Sequence, residues 1–277
     1  MPGDKLSGVG ETAVGAAMMR SDESARRDRL FDDPYAAAFV AAVPDAFADG
    51  PEPADPEIAA LTDTFRAHVA IRTRFYDDYL RTACARGCQQ VVVLAAGLDA
   101  RAFRLNWPAG VRLFELDLPE VLAFKDGVLT ELRATPLCTR ITVGIDLREE
   151  WAVALADAGF DVTLPSAWIA EGLLAYLSDD EAVRLLTYVT ALSSRNSQFA
   201  LETSRIADDA TLNHARDLPA LDQIAMMWKG GMQEGAADWL EHRGWQVEQH
   251  DRAALSASYG RRAPDGSTGG FLTATRI

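Results

Sequence analysis

Three carboxylates stand where a run of apolar residues gives out: Asp117 after VRLFEL, Asp146 after RITVGI and Glu171 after SAWIA. A fourth apolar run, QVVVL, gives way to Ala95, Ala96 and Gly97. Asp117 follows the glycine turn by about 20 residues, the separation at which an acid grips a ribose diol. A carboxylate accepts two hydrogen bonds at once, and a vicinal diol offers two donors at matching spacing. Asp146, one strand on, is placed to accept from an exocyclic amine such as the adenine 6-amino group. Glu171 could pair with an ammonium.

Ribose, adenine and an amino acid together describe S-adenosylmethionine better than NAD. A dinucleotide needs its pyrophosphate held, usually by a G-x-G-x-x-G turn at a helix N-terminus. Here the turn reads AAGLDAR, with Gly97 followed by Asp99 and Arg101. Asp99 would repel a diphosphate and would not trouble a sulfonium. Arg101 would hold the loop by pairing with Asp99 or with the N-terminal segment. Blander readings exist for each acid. Asp117 and Asp146 could cap the helices that follow them, and Glu171 could be a turn residue or a buried partner of an arginine. Taken jointly, the strand-end acids favour a nucleoside-type site.

Positioning such acids takes a parallel sheet covered by helices. From Gln90 onward, short apolar strands (QVVVLAA, VRLFELD, RITVGIDL, SAWIAEGLL, SQFALETS) alternate with helical stretches such as LPEVLAFKDGVLTELRA and SDDEAVRLLTYVTALS. That rhythm predicts a doubly wound α/β domain. The segments WQVEQHD and GGFLTATRI suit an antiparallel edge, joined by a loop and a short helix. Before the sheet, residues 1–88 read as a helical cap. Pro34 marks a helix start behind the cap candidates Asp32 and Asp33, DGPEPADPE is a loop, and one long amphipathic helix runs from Ile58 to Arg86. Residues 89–204 form the α/β core, 205–242 an inserted helical lid, and 243–277 the final strands, all in a single domain.

A net charge of -14 and a pI near 4.7 disfavour nucleic acid, whose binding relies on Lys and Arg, and anionic membranes. No apolar run approaches the ~20 residues of a membrane span, and the N-terminus lacks the pattern of a signal peptide. Cys84, Cys88 and Cys138 read as small, semi-buried residues, and His68, His214, His242 and His250 are scattered, so a metal site is not expected. The expectation is a cytoplasmic protein, monomer or homodimer, acting on a small molecule.

VVVLAAGLDARAFRL, FELDLPEVLAFK, VGIDLREEW and AEGLLAYLS, in this order, resemble the leucine carboxyl methyltransferase family. The likeness is closest to its bacterial branch of S-adenosylmethionine-dependent O-methyltransferases, found in actinobacteria and in polyketide pathways. VGETAVGAAMMRSDES, FDDPYAAAF and AIRTRFYDDYL share the resemblance, which is weakest from Arg205 to Trp228. It implies a Rossmann-like class I methyltransferase fold with a mostly parallel seven-stranded sheet. It implies S-adenosyl-L-methionine as cofactor, with a loop at Ala95, Ala96 and Gly97, where some eukaryotic members have glycine for Ala95. It places the ribose acid at Asp117, the adenine contacts at Asp146 and Leu147, and the methionine-end acid at Glu171. Basic residues for the methionine carboxylate fall at Arg72 and Arg20. Tyr176 becomes a substrate-orienting hydroxyl, with Arg74 and Tyr259 as weaker candidates.

Methyl transfer to a carboxylate needs no general base, whereas an alcohol or phenol would need one. No histidine sits at an expected strand end, which tilts the expectation toward a carboxylate or acidic hydroxyl in secondary metabolism. Met226, Met227 and Trp228 would wall the acceptor pocket or simply pack a helix. Two other readings stay open: a catalytically silent binding protein, and carboxyl methylation of a peptide or protein C-terminus. An NAD-dependent oxidoreductase is disfavoured by the missing glycines.

Overall fold

The computed structural model describes residues 9–44, 56–202, 229–232, 235–263 and 269–277. Seven strands form one sheet in the order β3-β2-β1-β4-β5-β7-β6. They are β1 (Gln90–Leu94), β2 (Arg112–Asp117), β3 (Thr139–Gly144), β4 (Ser166–Ala170), β5 (Gln198–Glu202), β6 (Trp245–Asp251) and β7 (Gly270–Arg276). Strands β1 to β5 pair in parallel, and β7 runs antiparallel to both β5 and β6. This is the mostly parallel α/β sheet with an antiparallel edge that the alternation of apolar runs predicts.

Among the described residues the α-helices are α1 (Val9–Ser24), α2 (Ala36–Ala41), α3 (Pro56–Ala85), α4 (Arg101–Arg104), α5 (Pro119–Glu131), α6 (Trp151–Asp157), α7 (Asp179–Ala191), α8 (Ala236–Glu241) and α9 (Arg252–Ser258). Side chains alternate across each strand, so the sheet feeds two cores. Val91, Val93, Leu113, Ala167 and Ile169 pack with α1 to α5 and α9. Val92, Leu94, Phe114, Leu116, Trp168 and Leu201 pack with α6, α7 and α8. Because β1, β2, β4 and β5 are buried on both faces, they read as largely apolar runs rather than as alternating ones, and the one charge inside β2, Glu115, is paired with Lys125 (2.8 Å) and Arg140 (2.7 Å).

Helix α3 realises the long helix expected over 58–86. It has no internal glycine or proline, and its buried positions Arg72, Tyr76, Tyr79, Leu80 and Ala83 recur at helical spacing. It is pinned across β4 by two hydroxyls: Tyr76 donates to the Ala170 carbonyl (3.3 Å) and Tyr79 to that of Trp168 (3.2 Å). Helix α7 opens with a reciprocal capping box between Ser178 and Glu181. Helix α2 begins at Ala36 rather than at Pro34. Asp33 is taken up by Arg20 (2.8 Å) and by the Tyr35 N–H (3.2 Å), so Pro34 lies in the turn ahead of the helix.

Register decides where the strands deliver their last residues. Leu94 lies beside both Leu116 and Ala170, Asp117 beside Gly144, and Ala170 beside Leu201. Ala95, Asp117, Ile145, Glu171 and Glu202 are therefore presented along one edge. The chain order reverses between β1 and β4, which is the switch point where such sheets bind ligands. Most of the expected lid, Met226, Met227 and Trp228 included, and most of the DGPEPADPE loop lie outside the described residues. Among those described, no helix is long and apolar enough to cross a membrane, and no three His, Cys, Asp or Glu side chains are grouped to hold a metal ion.

Candidate active site

The strand β1 stops at Leu94 because the next residue turns the chain: Ala95 has φ +52° and Gly97 φ +47°. Left-handed backbone is ordinary for glycine and costly for alanine. The Ala96 N–H still bonds to Leu116 (3.0 Å), and the Asp99 N–H closes the turn on Ala96 (2.9 Å). Helix α1 lies directly over this turn. A Cβ at Gly97 would sit 3.3 Å from that of Ala13, so glycine here also permits close packing.

Asp117 ends β2 with both oxygens anchored by backbone. Oδ2 accepts the Gly97 N–H at 2.5 Å and Oδ1 accepts that of Leu118 at 2.7 Å. Burial raises its pKa, against the opposing pull of those two N–H groups. Asp146, past β3, sits nearer the rim. Arg148 folds back on it through its own N–H (2.8 Å) and its guanidinium (2.6 Å), and these hydrogen bonds lower the Asp146 pKa. Glu171, past β4, meets Arg72 Nε through Oε1 (3.0 Å) and Arg101 Nη1 through Oε2 (2.7 Å).

Two helices of the N-terminal segment supply cations. Arg20 of α1 bonds the Leu98 carbonyl (2.7 Å) as well as Asp33, tying the helix to the turn. Arg72 of α3 lies between Glu171 and Glu202, the latter 3.6 Å from Nη1. Arg101 is 2% exposed and reaches Asp99, Glu171 and Asp77 (2.7 Å), with Arg104 also on Asp77 (2.6 Å). Burial opposes the charge on Asp99, but Arg101, Lys125 and Arg104 outweigh it and hold the pKa at about 2. Arg104 and Arg101 likewise lower that of Asp77 against its burial. Arg101 thus pairs with Asp99 and also with the N-terminal segment, through α3.

These residues surround one cavity of about 260 Å³. Its wall includes every expected cofactor residue: Arg20, Arg72, Ala95, Ala96, Gly97, Asp117, Asp146, Leu147 and Glu171. Tyr176, from the 3-10 turn Leu174–Tyr176, completes the same wall. Thr12, Ala13 and Ala16 of α1 cover it. Arg74 and Tyr259 are not among the lining residues. They face each other 5.4 Å apart, and Arg74 binds Asp78 (2.7 Å). Sequence reasoning missed Arg104, Arg148 and Asp77, which carry no local signal. It also missed Glu202, which the strand-end rule applied to SQFALETS would have found, and the buried His68 against it (2.7 Å).

A family model described as leucine carboxyl methyltransferase matches residues 13–190. The chain is 46% identical over 272 residues to a protein of Parafrankia sp. (strain EAN1pec), covering 98% of this chain and 88% of that one. It is 49% identical over 271 residues to a protein of Frankia alni (strain DSM 45986 / CECT 9034 / ACN14a), covering 98% and 95%. Both relatives are provisionally named S-adenosyl-L-methionine-dependent methyltransferases. Among solved structures, it is similar to a provisionally named methyltransferase from Thermobifida fusca YX, with TM-score 0.49, 15% identity and 94% of each chain covered.

Proposed function

The chain belongs to the leucine carboxyl methyltransferase family, and on that premise we propose that its cavity binds S-adenosyl-L-methionine for methyl transfer to an oxygen of a small molecule. The acceptor we infer is a carboxylate or acidic hydroxyl of the kind made in secondary metabolism. The observation that carries the cofactor reading is the bond from the Gly97 N–H to Asp117. In a dinucleotide site that N–H faces pyrophosphate. Here it is spent on a carboxylate, and Asp99 and Glu171 line the adjoining wall. With that N–H committed, the turn offers no free cradle to a pyrophosphate, while the mixed wall of acids and arginines (Arg72, Arg101) suits a zwitterionic amino acid joined to a diol.

The donor set fits the cofactor group by group. Asp117 takes the ribose hydroxyls, its backbone bonds leaving lone pairs for both. Asp146 accepts from the adenine amine, and Leu147 packs against the base. Glu171 meets the ammonium, and Arg72, backed by Arg20, the carboxylate. Bound there, the cofactor supplies a methyl group already activated on a sulfonium. The protein's part is alignment and exclusion of water. Tyr176 orients the acceptor, and residues 205–242 select it. A carboxylate acceptor is ionised at neutral pH and needs no base.

Titration calorimetry with S-adenosylmethionine and S-adenosylhomocysteine tests the reading: micromolar binding is expected, and none by the wild type refutes it. Extracts incubated with isotope-labelled methyl donor, read by mass spectrometry, then identify the acceptor. A base-labile label marks a carboxyl ester, a stable one a hydroxyl ether. Binding without any labelled product would leave a silent binding protein.

A further inference from the structure

Behind the cavity wall lies a second layer of charge. Glu202, the last residue of β5, is 6% exposed and does not line the cavity. His68 Nε2 of α3 stands 2.7 Å from its Oε1, Arg72 Nη1 stands 3.6 Å from its Oε2, and Arg252 Nη2 of α9 lies 3.8 Å from Oε1. His68 is itself 2% exposed and one helical turn before Arg72, so both meet Glu202 from the same face of α3. A buried ionic group of this kind is weak as a source of stability, since apolar packing does the same work at less cost in desolvation. What it supplies is orientation. Glu202 and Glu171 come from neighbouring strands and engage Arg72 at Nη1 and Nε. The hydrogen bond at Nε and the Glu202 charge beside Nη1 together bias the orientation of the guanidinium, while the five-donor fork keeps other N–H groups for a ligand carboxylate.

We propose that His68 and Glu202 are positioning residues, which fix the Arg72 guanidinium for the amino-acid end of the cofactor. The inference rests on the assignment of the cavity to S-adenosylmethionine and adds two residues that touch neither cofactor nor acceptor. Burial lowers the His68 pKa, with Glu202 opposing, which keeps the imidazole neutral at physiological pH. Burial also opposes the charge on Glu202, but His68, Arg72 and Arg252 hold its pKa at about 2. The layer therefore presents an anion, Glu202, to Arg72.

The test separates the two ends of the ligand. S-adenosylhomocysteine carries the amino acid, whereas 5′-methylthioadenosine shares its adenine, ribose and thioether but lacks it. In calorimetry, His68→Leu should weaken S-adenosylhomocysteine about tenfold, the size expected for coupled contacting groups, and leave 5′-methylthioadenosine unchanged. His68→Gln, which keeps a polar side chain of similar reach beside Glu202, should restore most of the loss. Should His68→Leu fail to fold, Glu202→Gln carries the same comparison. Equal weakening of both ligands, or of neither, overturns the proposal and reduces the cluster to a docking point for α3. Failure of the wild type to bind either ligand overturns the cofactor assignment instead, a result distinct from an unsplit response in the variants.

Discussion

Gly172→Ala is the most exacting perturbation of the site, because it adds one methyl group and removes nothing. Gly172 follows Glu171 with φ +65°, and a Cβ built there would stand 3.0 Å from Arg72 Nη1 and 3.7 Å from its Cζ. The left-handed backbone costs an L-residue ~1–2 kcal/mol, and a less flexible unfolded chain returns ~0.4–1 kcal/mol of it. The net loss of about 1 kcal/mol corresponds to a fall in Tm of roughly 2–4 °C for a domain of this size. Arg72 must also give way by a few tenths of an ångström, and it is not free to do so. Glu171 holds Nε at 3.0 Å, and Glu202 flanks Nη1 at 3.6 Å. A charge-assisted hydrogen bond contributes ~1.5–3 kcal/mol. Spoiling about half of one at the ligand carboxylate weakens S-adenosylhomocysteine roughly tenfold. Thermal melting followed by CD, with calorimetric titration of the same preparation, measures both effects. A variant that melts lower yet binds S-adenosylhomocysteine as the wild type does would show that Arg72 is not at the ligand's amino-acid end.

Other outcomes follow from the same geometry. Asp117 binds a diol only when ionised, and its folded pKa is raised. Affinity for S-adenosylhomocysteine should therefore decline, as pH falls, sooner than an ordinary aspartate (~3.9) dictates, and Asp117→Asn should bind weakly at every pH by calorimetry. Asp99, held at about 2, is depressed. Its contribution to stability is full above its unfolded value of ~3.9 and is lost as pH drops toward 2. Arg101→Met, which takes the arginine from Asp99 and leaves Asp77 to Arg104 and Glu171 to Arg72, should cost ~3–5 kcal/mol at pH 7, and urea titrations should show that deficit shrinking between about pH 4 and 2. Ala95→Gly relieves a left-handed alanine and should raise the unfolding free energy, measured by urea titration, by up to ~1 kcal/mol; a fall would mean that the Ala95 methyl packs favourably enough to outweigh its backbone.

What was legible in the sequence had local causes. The strands β1, β2, β4 and β5 announce themselves because burial on both faces demands largely apolar runs, which Glu115 alone interrupts inside β2. The long α3 is legible because no Gly or Pro interrupts its apolar spacing. Asp117, Asp146 and Glu171 were findable because a parallel sheet brings strand ends into line whatever the strands themselves contain. The ion network was not findable. Asp77 and Arg104 lie 27 residues apart and Arg72 and Glu171 99 apart, and nothing in either neighbourhood names the other. The left-handed Ala95 was equally hidden, since alanine signals helix or strand rather than a tight turn. His68 looked isolated because its partner is 134 positions away, at the one strand end whose acid the sequence reading passed over.

The position of β7 bears on how the molecule comes to be made. It lies between β5 and β6 in the sheet yet follows both in the chain. A ribosome therefore releases β5 well before the strand that will cover its outer edge, with almost seventy residues between Glu202 and Gly270. At about 5–20 residues per second, that edge stands uncovered for several seconds. Meanwhile β6 emerges with no neighbour at all. Phe199 and Leu201, fully buried in the finished protein, sit on the waiting strand, which makes this interval the point at which a nascent chain is most open to chaperones and to mispairing with its own kind.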